Sequence, residues 1–182
     1  MQEKKQGLVL WFTGIPSSGK TTLAKCVAEA FNQQGLEVEV LDSDNIRNEL
    51  SPDLGFTLKD RDLNTKRIAW VANLLAKHGV SVLIASGASS REHRERARCL
   101  IEKFAMIYTR CPVEVCLSRG GLYAKVQRGE FSGRPGEAKT IEELYKPYQE
   151  PINPEITVDT DLLSITKSVE LVMSKLKELN LI

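Results

Sequence analysis

Apolar runs of strand length alternate with helical patterns along the chain. Five runs predict β-strands, the first of them continuous enough for a strand buried on both faces: residues 7–13, 37–44, 80–88, 105–111 and 155–160. Helical patterns fall within residues 20–35, 57–79, 90–104, 112–119 and 162–179. Strands and helices that alternate in this way close as right-handed parallel crossovers. The pattern therefore predicts an α/β fold of three layers, with a five-stranded parallel sheet between helices.

One segment interrupts the alternation. Residues 119–153 combine glycines, prolines and many charged side chains, and at about thirty residues they exceed an ordinary connection. We expect a mobile lid at approximately 119–153, with a short helical piece in residues 140–145. The chain shows no internal repeat, so residues 1–182 are predicted to form a single domain. The helix within residues 90–104 is expected to expose a basic face.

The composition argues against several classes of protein. The 25 Lys and Arg residues nearly balance the 24 Asp and Glu residues, which disfavours a nucleic-acid-binding surface. No run approaches the roughly 18 apolar residues of a membrane span, and no signal core follows the polar N-terminus, so we expect a cytoplasmic protein without membrane contact. The four cysteines form no C-x-x-C pair, and Cys26, Cys99 and Cys116 are expected to be buried reduced thiols. Both histidines are expected at the surface.

The stretch that follows the first predicted strand carries the clearest chemistry. It has the spacing G-x-x-x-x-G-K-[ST] of a phosphate-binding loop at a junction of strand and helix. Its glycines let successive backbone N–H groups point at phosphate oxygens, and the helix adds its positive N-terminal end. The lysine can bridge the β- and γ-phosphates of ATP, and the threonine hydroxyl can ligate Mg²⁺. The predicted ATP-binding residues of the loop are Gly14, Ile15, Pro16, Ser17, Ser18, Gly19, Lys20, Thr21 and Thr22.

Two aspartates after the second predicted strand favour a kinase over other nucleotide-binding proteins. The guanine-binding pattern N-K-x-D of GTPases is absent, and the third strand ends without the acidic residue typical of motor ATPases. Asp42 and Asp44 stand where a small kinase faces the γ-phosphate, so either carboxylate can hold a magnesium-bound water or accept the proton of the acceptor hydroxyl. Each can instead cap the helix predicted at residues 45–50. A lid that excludes water also favours a kinase.

Six stretches together resemble the adenylylsulfate kinase family. They are "LVLWFTGIPSSGKTTLAK", "VLDSDNIRNEL", "DLGFTLKDRDLNTKRI", "PVEVCLSR", "GLYAK" and "NPEITVDT", which cover nearly the whole chain in order. The resemblance implies the fold of the P-loop nucleoside triphosphate hydrolases and a P-loop kinase domain over residues 1–182. It implies transfer of the γ-phosphoryl group of MgATP to the ribose 3′-hydroxyl of adenosine 5′-phosphosulfate, in sulfate activation. It also implies a homodimer.

The resemblance assigns roles to individual residues. Asp44 matches an aspartate close to the acceptor hydroxyl and the metal, and Arg119 matches an arginine near the adenine of ATP. The candidate catalytic residues are Asp44 and Lys20, and the candidate metal ligands are Thr21 and Asp44. The residues expected at the acceptor are Asp42, Arg47, Phe56, Arg61, Asn64 and Lys125. Guanidinium groups suit a doubly anionic acceptor because they fork onto tetrahedral oxygens. Phe56 can instead belong to the core, and Arg67 can be either structural or functional.

The chain departs from the family pattern at three places. The family's "ISPF" or "ISPY" gives way to Ala-Ser-Ser at residues 88–90, so Ala88 replaces the serine sometimes named as a phosphorylated intermediate. The segment "FSGRPGEAKTIEELYKPYQEP" is longer than its family counterpart, and "FSG" at Phe131 is the candidate equivalent of the family's "FTGI". Pro16 and Ser17 replace a serine and a glycine of the phosphate loop. Two alternatives stay open: a kinase of another anionic nucleotide-linked or small alcohol acceptor, and a non-catalytic nucleotide-binding subunit.

Overall fold

The computed structural model describes residues 6–182. Its strands are β1 (Val9–Thr13), β2 (Val38–Asp42), β3 (Ser81–Ala85), β4 (Phe104–Arg110) and β5 (Ile156–Asp159). Its helices are α1 (Lys20–Gln33), α2 (Ser43–Glu49), α3 (Leu58–Lys77), α4 (Arg91–Leu100), α5 (Val113–Ser118), α6 (Leu122–Gln127), α7 (Ile141–Tyr145) and α8 (Ile165–Glu178). The strands pair in parallel in the order β2-β3-β1-β4-β5. The predicted α/β class and five-stranded parallel sheet are confirmed.

The central strand β1 joins two hydrophobic layers. All five of its residues are buried, and successive side chains point to opposite faces of the sheet. Leu10 and Phe12 belong to the cluster that packs under α1 and α8. Val9 and Trp11 belong to the other cluster, which packs under α3 and α4. The sheet is therefore covered on both faces, which explains why β1 is a continuous apolar run instead of an alternating one.

The carboxyl ends of the strands meet at one edge of the sheet, and the polar loops of the chain gather there. The phosphate loop follows β1, Asp42 ends β2, and residues 86–90 follow β3. Thr160 follows β5, and its hydroxyl donates to the carbonyl of Ser18 at 2.8 Å. In open parallel sheets this edge is where ligands bind, and here it holds the predicted phosphate loop and Asp42.

Helix α4 does not expose a basic face as predicted. Arg94 is 1% exposed, and its guanidinium donates to the carbonyls of Ala88 and Gln149. Arg96 pairs with Asp62 and Glu92, and Arg98 pairs with Glu95 and Glu155. The arginines of α4 therefore bind neighbouring segments, because backbone carbonyls and carboxylates of those segments lie within hydrogen-bond distance of the guanidinium groups.

Three smaller predictions about side-chain exposure also need correction. Cys99 is exposed and Cys26 is half-buried, whereas Cys116 is buried as predicted. His93 is not a free surface residue, because it lies between α3 and α4 with its Nε2 3.4 Å from Asp62. His78 is exposed as predicted.

Residues 119–153 fold across the edge of the sheet where the loops gather. The predicted helical piece is α7, whose N-cap Thr140 accepts a hydrogen bond from the backbone N–H of Glu143. A second helix, α6, was not predicted from the sequence. In the part of the chain that the structure describes, no helix is both long enough and apolar enough to cross a bilayer.

Candidate active site

The phosphate loop wraps the N-terminus of α1. Gly19 adopts the left-handed conformation, with φ of 93°, at the N-cap of that helix. A side chain at Gly14 would lie 2.5 Å from the hydroxyl of Thr109, so the loop needs glycine there to pack against β4. Lys20 donates to the loop carbonyls of Gly14 at 3.1 Å and Ile15 at 2.8 Å. Burial lowers the pKa of Lys20 to about 8, although the nearby Asp44 opposes the shift.

Two cavities meet at this loop and share Ser17, Lys20 and Thr21. The helix-side cavity, of about 440 Å³, lies towards α1 and α8 and is lined by Gly19, Lys20, Thr21, Thr22, Arg119, Thr160, Leu163 and Ile165 among others. The lid-side cavity, of about 340 Å³, lies under residues 119–153. A group bound at the loop can therefore reach both cavities at once.

Arg119 lies at the edge of the helix-side cavity. Its guanidinium donates to the carbonyl of Ser17 at 3.3 Å and to the carbonyl of Thr160 at 2.5 Å. These bonds tie the phosphate loop to the segment after β5. The apolar side chains of Leu163 and Ile165 line the same cavity, and the sequence analysis did not single them out. Both lie shortly after the end of β5, Leu163 in the connection and Ile165 as the first residue of α8, and this position near a strand end was the signal that could have identified them.

Three oxygen-bearing side chains converge beside the loop. The hydroxyl of Thr21 donates to Asp42 Oδ2 at 2.7 Å. Asp42 is also the N-cap of α2, because its Oδ1 accepts the backbone N–H of Asp44 at 3.0 Å. The capping alternative therefore holds for Asp42. Asp44 does not cap; it lies in the first turn of α2 and lines the lid-side cavity.

The pKa of Asp44 is raised by its surroundings. Desolvation by the protein atoms that crowd the carboxyl group contributes most of this shift, and the neighbouring Asp42 adds to it, while Lys20, Arg47 and Lys125 act in the opposite direction. The residue as a whole is exposed. A carboxylate with a raised pKa, open to the cavity and close to the loop lysine, is suited to accept a proton there.

The predicted acceptor residues Arg47, Phe56, Arg61 and Asn64 all line the lid-side cavity. The guanidinium carbons of Arg47 and Arg61 lie 4.7 Å and 5.7 Å from the centre of the Phe56 ring. Arg47 donates to the carbonyl of Gly55 at 2.5 Å, and Arg61 Nε donates to the carbonyl of Phe56 at 2.7 Å. Phe56 is half-buried at the cavity wall and outside the clusters that form the core. The structure therefore brings these four residues together.

The two arginines carry charge that no carboxylate neutralises directly. Neither forms an ion pair within 4.0 Å in the part of the chain described, whereas Arg67, Arg96 and Arg98 do. Burial lowers the pKa of Arg47 and of Arg61, and Arg61 lowers that of Arg47 further. Asn64 supplies a buried hydrogen-bond acceptor without a donor, because the residue is 3% exposed and its Oδ1 has no hydrogen-bond partner among the described residues. A buried orphan acceptor and two uncompensated cations point to a polar, anionic ligand.

Two more predicted residues lie at the margin of this group. Lys125 is exposed on α6 and does not line either cavity, although its charge favours the ionised form of Asp44. Leu122 and Val126 of the same helix do line the lid-side cavity. Of the structural and functional roles considered for Arg67, the geometry favours the structural one, because its guanidinium donates to both carboxylate oxygens of Asp53 at 2.6 Å and 2.8 Å.

The lid contributes cavity residues that the sequence analysis missed. Phe131 is 44% exposed and lies outside the cavity lining, and its proposed equivalence to the family's "FTGI" stays a prediction. Ala138, Leu144 and Tyr148 line the cavity instead. The hydroxyl of Tyr148 lies 3.1 Å from that of Thr13. An aromatic residue between proline and glutamine in "KPYQEP", within a polar lid, was the signal that could have identified Tyr148.

Comparisons with known proteins point to one family. A family model described as "Adenylylsulphate kinase" matches residues 6–159. An adenylyl-sulfate kinase of Prochlorococcus marinus is 43% identical over 187 aligned positions, which cover 99% of this chain and 90% of the relative. Another, of Chloroflexus aurantiacus, is 38% identical and covers 98% of this chain and 93% of its own length. The Mycobacterium tuberculosis APS kinase CysC, solved in complex with AMPPNP and APS, matches with a TM-score of 0.82 at 35% identity, over 94% of this chain and 98% of that one. The chain therefore belongs to the adenylylsulfate kinase family.

Proposed function

We propose that this protein uses ATP to phosphorylate the ribose 3′-hydroxyl of adenosine 5′-phosphosulfate, which gives 3′-phosphoadenosine 5′-phosphosulfate. Membership of the adenylylsulfate kinase family supports this reaction. The observation in this chain that carries the proposal is the lid-side cavity. There, two arginines without an ion-pair partner flank an aromatic ring, directly beside a phosphate-binding loop. An acceptor that joins an aromatic base to a doubly anionic phosphosulfate matches both features.

ATP is assigned to the phosphate loop and the helix-side cavity. The backbone N–H groups of the loop and the N-terminus of α1 bind its phosphates. Arg119, Leu163 and Ile165 supply the surface for the base and sugar of the nucleotide. Lys20 lies at the point where the two cavities meet, so its ammonium can balance charge on the transferred phosphoryl group.

The oxygen atoms of Thr21, Asp42 and Asp44 suit Mg²⁺, which prefers hard oxygen ligands. We assign Thr21 and Asp44 to the metal and Asp42 to their positioning, because Asp42 binds both the Thr21 hydroxyl and the Asp44 backbone. Bound Mg²⁺ supplies charge neutralisation for the phosphate oxygens of ATP. The protein's own contribution is the fixed placement of these oxygens beside the loop.

Proton transfer and water exclusion fall to Asp44 and the lid. The acceptor hydroxyl must be aimed at the γ-phosphorus, and its proton must be accepted as the new bond forms. Asp44 lines the lid-side cavity, where the acceptor is placed, and its carboxylate oxygens can accept the proton directly or through a metal-bound water, so it is assigned this role. The lid residues Leu122, Val126 and Leu144 cover the cavity, which limits transfer to water.

The proposal is tested by measuring ADP release in a coupled assay with MgATP and one acceptor at a time. Adenosine 5′-phosphosulfate should stimulate ADP release strongly. AMP, which lacks the sulfate, and gluconate and shikimate, which lack the base, should stimulate little. Equal stimulation by AMP would show that the arginine pair does not select a phosphosulfate. Stimulation by a small alcohol alone would replace the proposal with a kinase of another acceptor.

A further inference from the structure

The long lid of this chain makes a direct backbone contact with the wall of the lid-side cavity. We call residues 131–147 the lid insert. The backbone N–H of Phe56 donates to the carbonyl of Pro135 in the insert at 2.6 Å. Arg134 of the insert also donates to the side-chain oxygen of Asn48, on α2, at 3.3 Å. We call the Phe56–Pro135 hydrogen bond and the backbone packing around it the clasp.

Two glycines make the clasp possible. A Cβ atom at Gly136 would lie 2.4 Å from the backbone nitrogen of Thr57, and one at Gly55 would lie 2.5 Å from the carbonyl oxygen of Pro135. Both distances are far below van der Waals contact. The clashing atoms belong to the backbone, so a side-chain rotation cannot relieve the clash. Gly136 also has a φ of 71°, in the region that favours glycine. The two backbones can meet only because neither glycine carries a side chain.

The clasp completes the fixation of Phe56. Its N–H is held by the insert, and its carbonyl accepts from Arg61 at 2.7 Å, so the peptide groups on both sides of the residue are fixed. The guanidinium groups of both Arg47 and Arg61 lie against its ring. The insert also places Ala138 and Leu144 in the same cavity, whereas Phe131 at its start stays exposed.

We infer that the lid insert is a positioning element of the acceptor site, which sets the place of Phe56 through the clasp. This inference rests on the proposed function, in which the lid-side cavity holds the acceptor. A displaced aromatic wall should weaken use of the acceptor and leave ATP binding intact, because the helix-side cavity includes no residue of the insert. If the lid served only as a cover, substitutions at different positions of the insert would lower turnover equally, and would do so with any acceptor.

The lid insert offers a matched pair of variants. Gly133 and Gly136 have nearly the same positive φ, 76° and 71°, so an alanine at either position introduces similar backbone strain. A Cβ atom at Gly133 meets nothing within 4 Å, whereas one at Gly136 meets the clasp. Gly136→Ala should therefore lower kcat/KM for adenosine 5′-phosphosulfate by roughly ten- to a hundredfold, the scale of a misplaced positioning group. Gly133→Ala should stay within about threefold of wild type, and KM for MgATP should change little in both.

A second measurement tests the clasp without any acceptor. Hydrogen exchange of the peptide spanning residues 54–58 should be slow in the wild-type protein and in Gly133→Ala, and fast in Gly136→Ala. Fast exchange in the wild-type protein would overturn the inference whatever the acceptor is, and this reading does not depend on the folding of a variant. Equal losses of acceptor use in the two variants, or a parallel rise of KM for MgATP, would also overturn it. Slow exchange in a protein that ignores adenosine 5′-phosphosulfate would instead count against the proposed function.

Discussion

Removal of the Arg47 guanidinium should damage acceptor use much more than ATP use. In the structure this side chain is 8% exposed, has no ion-pair partner within 4.0 Å among residues 6–182, and lies 4.7 Å from the Phe56 ring. Its Nη1 donates one hydrogen bond to the carbonyl of Gly55, and the other N–H groups of the guanidinium stay available to bind an anion. We therefore expect Arg47→Ala to remove at least one charge-assisted hydrogen bond to the phosphosulfate.

The size of the effect follows from that bond. A hydrogen bond to a charged group contributes about 1.5–3 kcal/mol, and 1.4 kcal/mol corresponds to about a factor of ten. The value of kcat/KM for adenosine 5′-phosphosulfate should thus fall by roughly ten- to a hundredfold. The free energy of unfolding should fall by less than this hydrogen-bond contribution. The variant loses the bond to the Gly55 carbonyl, but it no longer buries a charged group close to Arg61, and both of these effects lower the pKa of Arg47. A net loss of about 1 kcal/mol would lower Tm by about 2–4 °C.

Arg67→Ala is the matched control. Arg67 lies one helix away, but its guanidinium binds Asp53 and faces away from the cavity lining. An exposed pair of this kind contributes little to stability. Because Arg67 lies outside the lining of the lid-side cavity, acceptor use in Arg67→Ala should stay within about threefold of wild type. The assay is steady-state ADP release, with one substrate varied while the other is saturating, together with a thermal melt. Equal losses for ATP and acceptor in Arg47→Ala, or an equal loss in Arg67→Ala, would refute the assignment.

Three further substitutions test the transfer machinery. Lys20→Ala should lower turnover by at least about a hundredfold without unfolding the protein, because it removes the charge that the proposed function assigns to the transferred phosphoryl group. Lys25→Ala, on the exposed side of α1, should be near wild type in the same assay. Thr21→Ala should raise the Mg²⁺ concentration needed for half-maximal activity, and an unchanged titration curve would remove Thr21 from the metal site. Asp44→Asn should bind MgATP and melt like wild type but lose roughly a hundredfold or more in turnover, as expected for a positioned base; retained turnover would transfer that role elsewhere.

The phosphate loop and the positions of the five strands along the chain were predictable because they depend on local signals. The loop is a contiguous motif between a strand and a helix, and hydrophobic runs of the right length mark the strands. The acceptor residues Arg47, Phe56, Arg61 and Asn64 were also predicted, through the family resemblance, and their roles stay predictions that the experiments above address. Their placement in one cavity depends on α2 and α3 both starting near the same edge of the sheet.

Features that depend on contacts distant in sequence were not predictable. Arg94 is buried because carbonyls 6 and 55 residues away, at Ala88 and Gln149, converge on its guanidinium. Helical periodicity and composition carry no information on such partners. The homodimer and the cytoplasmic location likewise stay predictions.

The central claim is that the two cavities join an ATP phosphoryl donor to the 3′-hydroxyl of adenosine 5′-phosphosulfate. The most direct test is to incubate the protein with ATP labelled with ³²P in the γ-position and with adenosine 5′-phosphosulfate, and to identify the labelled product. We predict that the label appears in 3′-phosphoadenosine 5′-phosphosulfate in an amount equal to the ADP formed. Label recovered as inorganic phosphate, or on another position or compound, would contradict the claim.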